Sequence, residues 1–458
     1  MTQIPTPLPL HVVVRVATQI ANNNKTFATM ANTTPKRNIG TTKDDDTHLP
    51  KTPRECMAVA RRTWLTACDK KDLQNVKKMY LRALTLSKTM EKPTTNASSV
   101  QKRKRRKTQS LSLTKDETKQ VLEKIALLFI QSSKSDKAKK LLHDLGYVCR
   151  LSRSVLDYPL PNASRPSSAS LLSNGSMIRS KYASKTPPCI IFDNFLNDHE
   201  DRTLRNIFQD PTASYWKDHD YEIEPPSPYF SYIIPAQSLS SKKYGFVGHI
   251  VNKILHTKQL REKFKELKRT RFIEMWAHNR PHASGHQMHF DSDDEGNGGV
   301  RNPIVSVILY LSDDTSGGGP SLVTTQALDD STLADRGFLS HPKQRRLVAF
   351  DGRVLHGVVP GKGVREGRRV TLMFAFWEDV EVRKGEGHGS ARAFPLSNES
   401  KQWAQDLIAP IVHCTRKGNG SLEVSDPIEL DCVYETLDGR RWMRSMGMPE
   451  YDQVYQGF

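Results

Sequence analysis

Val305-Ser-Val-Ile-Leu-Tyr-Leu311 is the stretch that most limits the fold. It is too apolar for a strand with one wet face, so it must lie where both faces are covered, in a two-sheet core. It belongs to a series. Arg271–Trp276, Ser321–Thr325, Arg346–Phe350, Val354–His356 and Arg369–Trp377 are all short and rich in apolar or β-branched residues. Turn residues such as Gly317-Gly-Gly-Pro320 and Asp351-Gly352 separate them, the pattern of an all-β domain. Cys189–Phe195 adds a strand. A helix is expected from about Asn197 to Phe208, with Leu204, Ile207 and Phe208 inward, and a second from about Phe246 to Leu267. The expectation is a mainly β domain with flanking helices over residues 188–383.

The remainder of the 458-residue chain differs in character. Residues 1–190 hold 35 Lys+Arg against 13 Asp+Glu, a net +22, which leaves −4 of the total +18 for the rest. The basic character therefore sits outside the β domain, and total charge does not make that domain a nucleic-acid binder. Residues 1–50 read as a disordered or targeting tail: the first 43 have no Asp or Glu, which also fits an organelle transit peptide. Residues 51–150 read as helical hairpins. Met57, Ala60 and Trp64 recur at helical spacing, as do Leu73, Val76 and Tyr80, with Asp72 a candidate cap. Thr114 and Glu117 form a capping-box pattern, and Gly146 suits a helix C-terminus. A small partner-binding bundle is the expectation.

The loop 91–113 carries Lys102-Arg-Lys-Arg-Arg-Lys107. Six basic residues in a polar loop fit a nuclear localisation signal or a nucleic-acid patch, against a solvated linker, so the chain is expected in the cytoplasm or nucleus. Residues 151–187 read as a Ser/Pro linker and 384–458 as a helical extension, with helices around Ser400–Ile408 and Tyr434–Met446. The six cysteines (Cys56, Cys68, Cys149, Cys189, Cys414, Cys432) lack C-x-x-C spacing, which excludes a disulfide framework and a zinc module. No apolar run approaches roughly 18 residues, so no membrane span is expected.

The β region carries the chemistry. His289 and Asp291 are two apart, so in a strand they project from one face. His356, in a later strand, can complete a two-His, one-carboxylate face of a metal such as Fe(II), leaving positions for a chelating co-substrate and O2. Arg369 and Thr371 share a face on the following strand and can hold a carboxylate by an ion pair and a hydroxyl. Tyr310 can add a second hydroxyl. Arg368 would point to the opposite face. His278, His282 and His286 crowd the same region. His286, three residues before His289, is expected on the other side, in a structural or substrate-facing role. Asp291–Glu295 lacks EF-hand spacing and reads as a solvated hairpin.

These motifs, together with Ile190-Ile-Phe-Asp-Asn-Phe-Leu196, resemble the Fe(II)/2-oxoglutarate-dependent dioxygenases, and within them the prolyl 4-hydroxylase-like group. The resemblance covers residues 188–378. It implies a double-stranded β-helix, or jelly roll, with iron on His289, Asp291 and His356 and 2-oxoglutarate on Arg369, Tyr310 and Thr371. It implies hydroxylation of a protein or small-molecule C–H bond, with L-ascorbate in an accessory role. Trp276 replaces a common Tyr, and Gly-Gly-Gly-Pro replaces Gly-Gly-Glu, differences that bear on substrate. The strand ending Phe374-Ala-Phe-Trp-Glu378 lacks the further Arg of nucleic-acid demethylases, which ranks nucleic acid below protein and small molecules. The alternatives are a non-catalytic jelly-roll scaffold and an oxygenase directed to nucleic acid by the basic loop.

Overall fold

The computed structural model describes residues 49–65, 67, 70–91, 112–147, 149–158, 186–219, 221, 230–239, 244–282, 284–293, 301–312, 317–327, 330, 334–363, 365, 367–380, 390–394, 401–410 and 422–437. The N-terminal tail before residue 49 and the basic run 102–107 lie outside them. The chain divides into two compact units, Met1–Arg150 with Thr436–Arg440, and Leu151–Glu435 with Arg441–Phe458. No helix of the described residues is long and apolar enough to cross a membrane.

The first unit is helical: α1 (Pro53–Leu65), α2 (Lys70–Glu91), α3 (Lys115–Gln131) and α4 (Ser135–Asp144). Thr114 Oγ accepts from Glu117 N–H while the Glu117 carboxylate accepts from Thr114 N–H, so two orphan donors start α3 reciprocally. Gly146, at φ +88°, ends α4 where a side chain would be strained. Asp72 is not a cap: α2 begins at Lys70, and Asp72 lies in its first turn. Val121, Ile125 and Leu128 of α3 are buried as their spacing requires. The buried Trp64 indole donates to Gln131 Oε1 at 2.7 Å, so the ring's one polar atom is satisfied inside the bundle.

The second unit contains α5 (Arg153–Leu156), β1 (Cys189–Asp193), α6 (Asp198–Phe208), α7 (Ser214–Lys217), β2 (Phe230–Pro235), α8 (Gly245–His256), α9 (Lys258–Lys263), β3 (Phe272–Pro281) and β4 (His286–His289). It continues with β5 (Val305–Tyr310), β6 (Ser321–Ala327), β7 (Gly337–Ser340), β8 (Leu347–Asp351), β9 (Val354–Val358), β10 (Arg368–Trp377), β11 (Ser390–Ala393), α10 (Gln402–Ile408), β12 (Glu423–Ser425) and β13 (Ile428–Leu430). An eight-stranded sheet has the order β11-β2-β3-β10-β5-β8-β1-β12, and a five-stranded sheet the order β13-β7-β6-β9-β4. From β3 to β10 the chain crosses between the sheets at every step except the β6–β7 hairpin, which lies within the five-stranded sheet; four strands fall to each, with every pairing among them antiparallel. That winding is a double-stranded β-helix, a jelly roll.

Both faces of the large sheet are covered, which is why its strands read as continuous apolar runs. On β10, Val370, Leu372, Phe374 and Phe376 pack toward the helices with Leu204, Ile250 and Trp403. Met373, Ala375 and Trp377 pack between the sheets with Val323 and Phe338 of the small sheet. The same alternation carries Arg369 and Thr371 onto the inter-sheet face at one end.

Three further sequence expectations change. The single helix over 246–267 is broken at Thr257 (φ −66°, ψ 116°), whose Oγ1 donates to Lys253 O at 2.7 Å. This competing bond and the β-branch turn the chain, and Leu260 and Leu267 then reach the core from α9 and a following 3-10 turn. Among the described residues the C-terminal extension is only partly helical: α10 forms, but β11, β12 and β13 extend the two sheets, and Tyr434–Thr436 is a strand, while 438–446 of the expected second helix lie outside the described residues. The stretch 151–158, read as the start of a linker, is packed: Val155, Leu156 and Tyr158 are buried, and Tyr158 donates to Pro360 O.

Candidate metal centre and co-substrate pocket

β4 and β9 are antiparallel neighbours with His289 and His356 as Cα partners. Their rings lie 4.3 Å apart between centroids. Each Nε2 lies 3.5 Å from the same oxygen, Asp291 Oδ1. All three donor atoms lie within 4.8 Å of one another. Donors bound about 2.1 Å from one ion and at right angles sit about 3 Å apart, so a small contraction closes this set on a metal.

The surroundings prepare each donor. His356 Nδ1–H donates to Val354 O at 3.0 Å, which fixes the tautomer and leaves the Nε2 lone pair facing Asp291. Phe350 backs this ring at 4.6 Å. Asp291 Oδ2 accepts from Ser306 Oγ at 2.5 Å, and Asn302 Nδ2 donates to the Asp291 carbonyl at 2.6 Å, so Oδ1 alone faces the histidines. Burial opposes ionisation of Asp291, but the charge of His356 and the hydrogen bond from His289 hold the carboxyl well below its usual range. Burial likewise disfavours charge on His356, and Asp291 overrides it and raises the imidazole's affinity for a proton. A divalent cation would take that proton's place beside the carboxylate. Two imidazoles and one carboxylate on one face suit Fe(II).

Next to this set is a buried cation. Arg369 is 4% exposed. Its Nη2 donates to Ser321 Oγ at 2.8 Å, and its guanidinium lies 5.2 Å from the Tyr310 ring centroid. Tyr310 OH shares a hydrogen bond with Ser321 Oγ at 2.7 Å. No carboxylate pairs with Arg369 among the described residues, and Arg369 Nε, Thr371 Oγ1 and Ser340 Oγ are buried without partners. Leaving a buried charge and its hydroxyl neighbours unsatisfied costs several kcal/mol, roughly, unless a ligand pairs with them. A ligand carboxylate fits this cluster in charge, donor count and position.

No family model matches the chain, and none of the curated proteins does. Among solved structures it is similar to a prolyl-4-hydroxylase of Pseudomonas putida at 20% identity and a TM-score of 0.27, over 42% of this chain and 89% of that one. It is similar to a Trichoplax adhaerens prolyl hydroxylase in complex with a hypoxia-inducible-factor peptide, at 15% identity and 0.24, over 42% and 84%. It is also similar to iron-bound HygX of Streptomyces hygroscopicus, at 12% identity and 0.28, over 46% and 94%.

The neighbouring residues depart from the sequence reading at His286 and at Asp293. His286 does not face away. Its ring packs 4.7 Å from His289 and 5.6 Å from His278. The cause is an irregular register: His356 pairs with His289, and Val358 with His286, so the β4–β9 ladder slips between them. Burial lowers the proton affinity of both His278 and His286 well below the usual imidazole range, so they stand as neutral rings beside the donors. Arg368 bonds to the Asn279 side chain and carbonyl, away from Thr371. Asp293 is buried and paired with Arg301 at 2.9 Å, so the hairpin reading fails there, and 294–300 lie outside the described residues. Trp276 packs between the sheets opposite Met373.

Ser306 and Ser321 escaped the sequence reading. Ser306 was within reach of it: it lies four residues before Tyr310, on the same strand face. Ser321 had only the preceding glycine turn as a signal.

Proposed function

We propose that the second unit is an Fe(II)- and 2-oxoglutarate-dependent dioxygenase that hydroxylates a C–H bond of a protein, prolyl residues included, or of a small molecule. The observation that carries this reading is the convergence of His289, His356 and Asp291 beside a buried Arg369 whose Nε has no partner. Fe(II) bound there would couple oxidative decarboxylation of 2-oxoglutarate, to succinate and CO2, with insertion of one oxygen atom into the substrate.

The protein's part is placement. His356, fixed by Val354 O, and Asp291, fixed by Ser306, present donor atoms that with the His289 imidazole lie within 4.8 Å of one another. Arg369 and Thr371 would hold the distal carboxylate of the co-substrate by an ion pair and a hydroxyl hydrogen bond. The inter-sheet core behind them keeps water out, which strengthens the ion pair.

The test is succinate and CO2 release from 2-oxoglutarate by the full chain with Fe(II), O2 and L-ascorbate, with peptide and metabolite mixtures as substrate sources. Iron-dependent release that is absent in His289→Ala supports the reading. Equal release in both, or none from any mixture, contradicts it. A non-catalytic scaffold has no use for three converging donors and a buried arginine. An oxygenase directed to nucleic acid through Lys102–Lys107 is the weaker alternative, as the catalytic part carries the net negative charge.

A further inference from the structure

His282 opens the turn after β3, outside the metal set, and both its ring nitrogens are occupied. Gly318 N–H donates to Nδ1 at 2.7 Å, so Nδ1 is unprotonated, and Nε2–H donates to Lys362 O at 2.9 Å. The ring is therefore a neutral link between two loops. One is the Gly317-Gly-Gly turn. Gly317 and Gly318 have φ of +84° and +93°, and a Cβ on Gly318 would lie 2.7 Å from Arg369 Cβ, so bare backbone lies against the arginine's stem. The other loop is held in turn by Tyr158: its hydroxyl accepts from Lys362 N–H at 3.0 Å and donates to Pro360 O at 3.2 Å.

We propose that His282 is a positioning residue for co-substrate binding: it holds the Gly317–Gly319 turn against Arg369, with Tyr158 bracing the far side. This rests on the reading of Arg369 as the carboxylate anchor. Both His282 ring nitrogens are taken by backbone groups, and the residue is not among the three metal donors. It works by restricting the rotamers of Arg369, so less ordering is left for binding to impose.

The test is anaerobic calorimetry on the full chain, first Fe(II), then 2-oxoglutarate into the Fe(II)-loaded protein, with a thermal melt of each variant. His282→Ala is expected to weaken 2-oxoglutarate binding about 10-fold or more while Fe(II) affinity stays within about 2-fold. His282→Asn, which keeps an acceptor for Gly318 N–H, is expected to recover most of that loss. Tyr158→Phe should weaken binding about 2- to 5-fold, the scale of one weak neutral hydrogen bond. Gly318→Ala, which pushes Arg369 aside, should match His282→Ala. If His282→Ala does not fold, the Asn and Phe variants decide the matter alone. Unchanged 2-oxoglutarate affinity in the variants overturns the proposal. So does a parallel loss of Fe(II) and 2-oxoglutarate binding that Asn fails to rescue. If wild-type protein takes up Fe(II) but no 2-oxoglutarate, the dioxygenase reading itself falls, and this inference with it.

Discussion

His289 and His356 are direct partners across an antiparallel pair, and both aim Nε2 at one oxygen of Asp291, 3.5 Å away. Strand pairing thus brings together two residues 67 positions apart in the sequence, and the slip toward Val358 and His286 adds a third imidazole to the same side.

Metal affinity should follow this geometry. His356→Ala and Asp291→Ala are each expected to abolish stoichiometric Fe(II) retention after anaerobic desalting. Ser306→Ala, which frees Asp291 Oδ2, should weaken Fe(II) binding about 10- to 100-fold without unfolding the chain.

Arg369→Lys keeps the charge but loses the planar fork. The KM for 2-oxoglutarate should rise about 10-fold or more, while Fe(II) affinity is unchanged. Thr371→Val should have a smaller effect in the same direction, about 2- to 10-fold, read from the same initial-rate measurement.

Much of this was legible in advance. Period-2 alternation placed Arg369 and Thr371 on one face and Arg368 on the other, because a buried strand allows no other phase. His289 and His356 were readable from their strand-like segments, but Asp291 lies past the end of β4, so the path of the following loop rather than strand alternation brings its carboxylate to them. His286 was not readable, since it depends on a ladder irregularity that neither strand shows alone. Nor were β12 and β13, where exposed Glu423 and Val424 lack an apolar pattern and the strands form by adding to existing sheet edges. The break at Thr257 was hidden because apolar spacing continues through it.

Stability should fall with acid in two separable windows. Burial pushes His219 down to about 4, and the ring is held neutral between Tyr215 O and Tyr232 OH. The unfolded chain therefore binds more protons below the ordinary 6.5, and stability present above that value is lost as pH falls toward 4. The urea-unfolding free energy is expected to drop by about 1–2 kcal/mol more between pH 7 and pH 5 in wild type than in His219→Gln. Glu200 acts lower. Burial opposes its ionisation, but His249 at 2.8 Å and Lys253 at 2.6 Å hold it at about 2, so its contribution is complete above 4.5 and fades as pH falls toward 2.

Phe374 lies between Met275 and Val307 in the large sheet and is fully buried. Phe374→Ala should destabilise the jelly roll by about 3–5 kcal/mol, read as a lower urea midpoint.

The central claim is that one site holds a metal and a 2-oxo acid together. Calorimetric titration of 2-oxoglutarate into the full chain, with and without bound Fe(II) and in the absence of O2, tests it most directly. The account predicts one 2-oxoglutarate per chain with Fe(II) bound and affinity lower by about 10-fold or more without it, because the metal supplies half of the grip. Binding that ignores the metal, or no binding in either state, would contradict it.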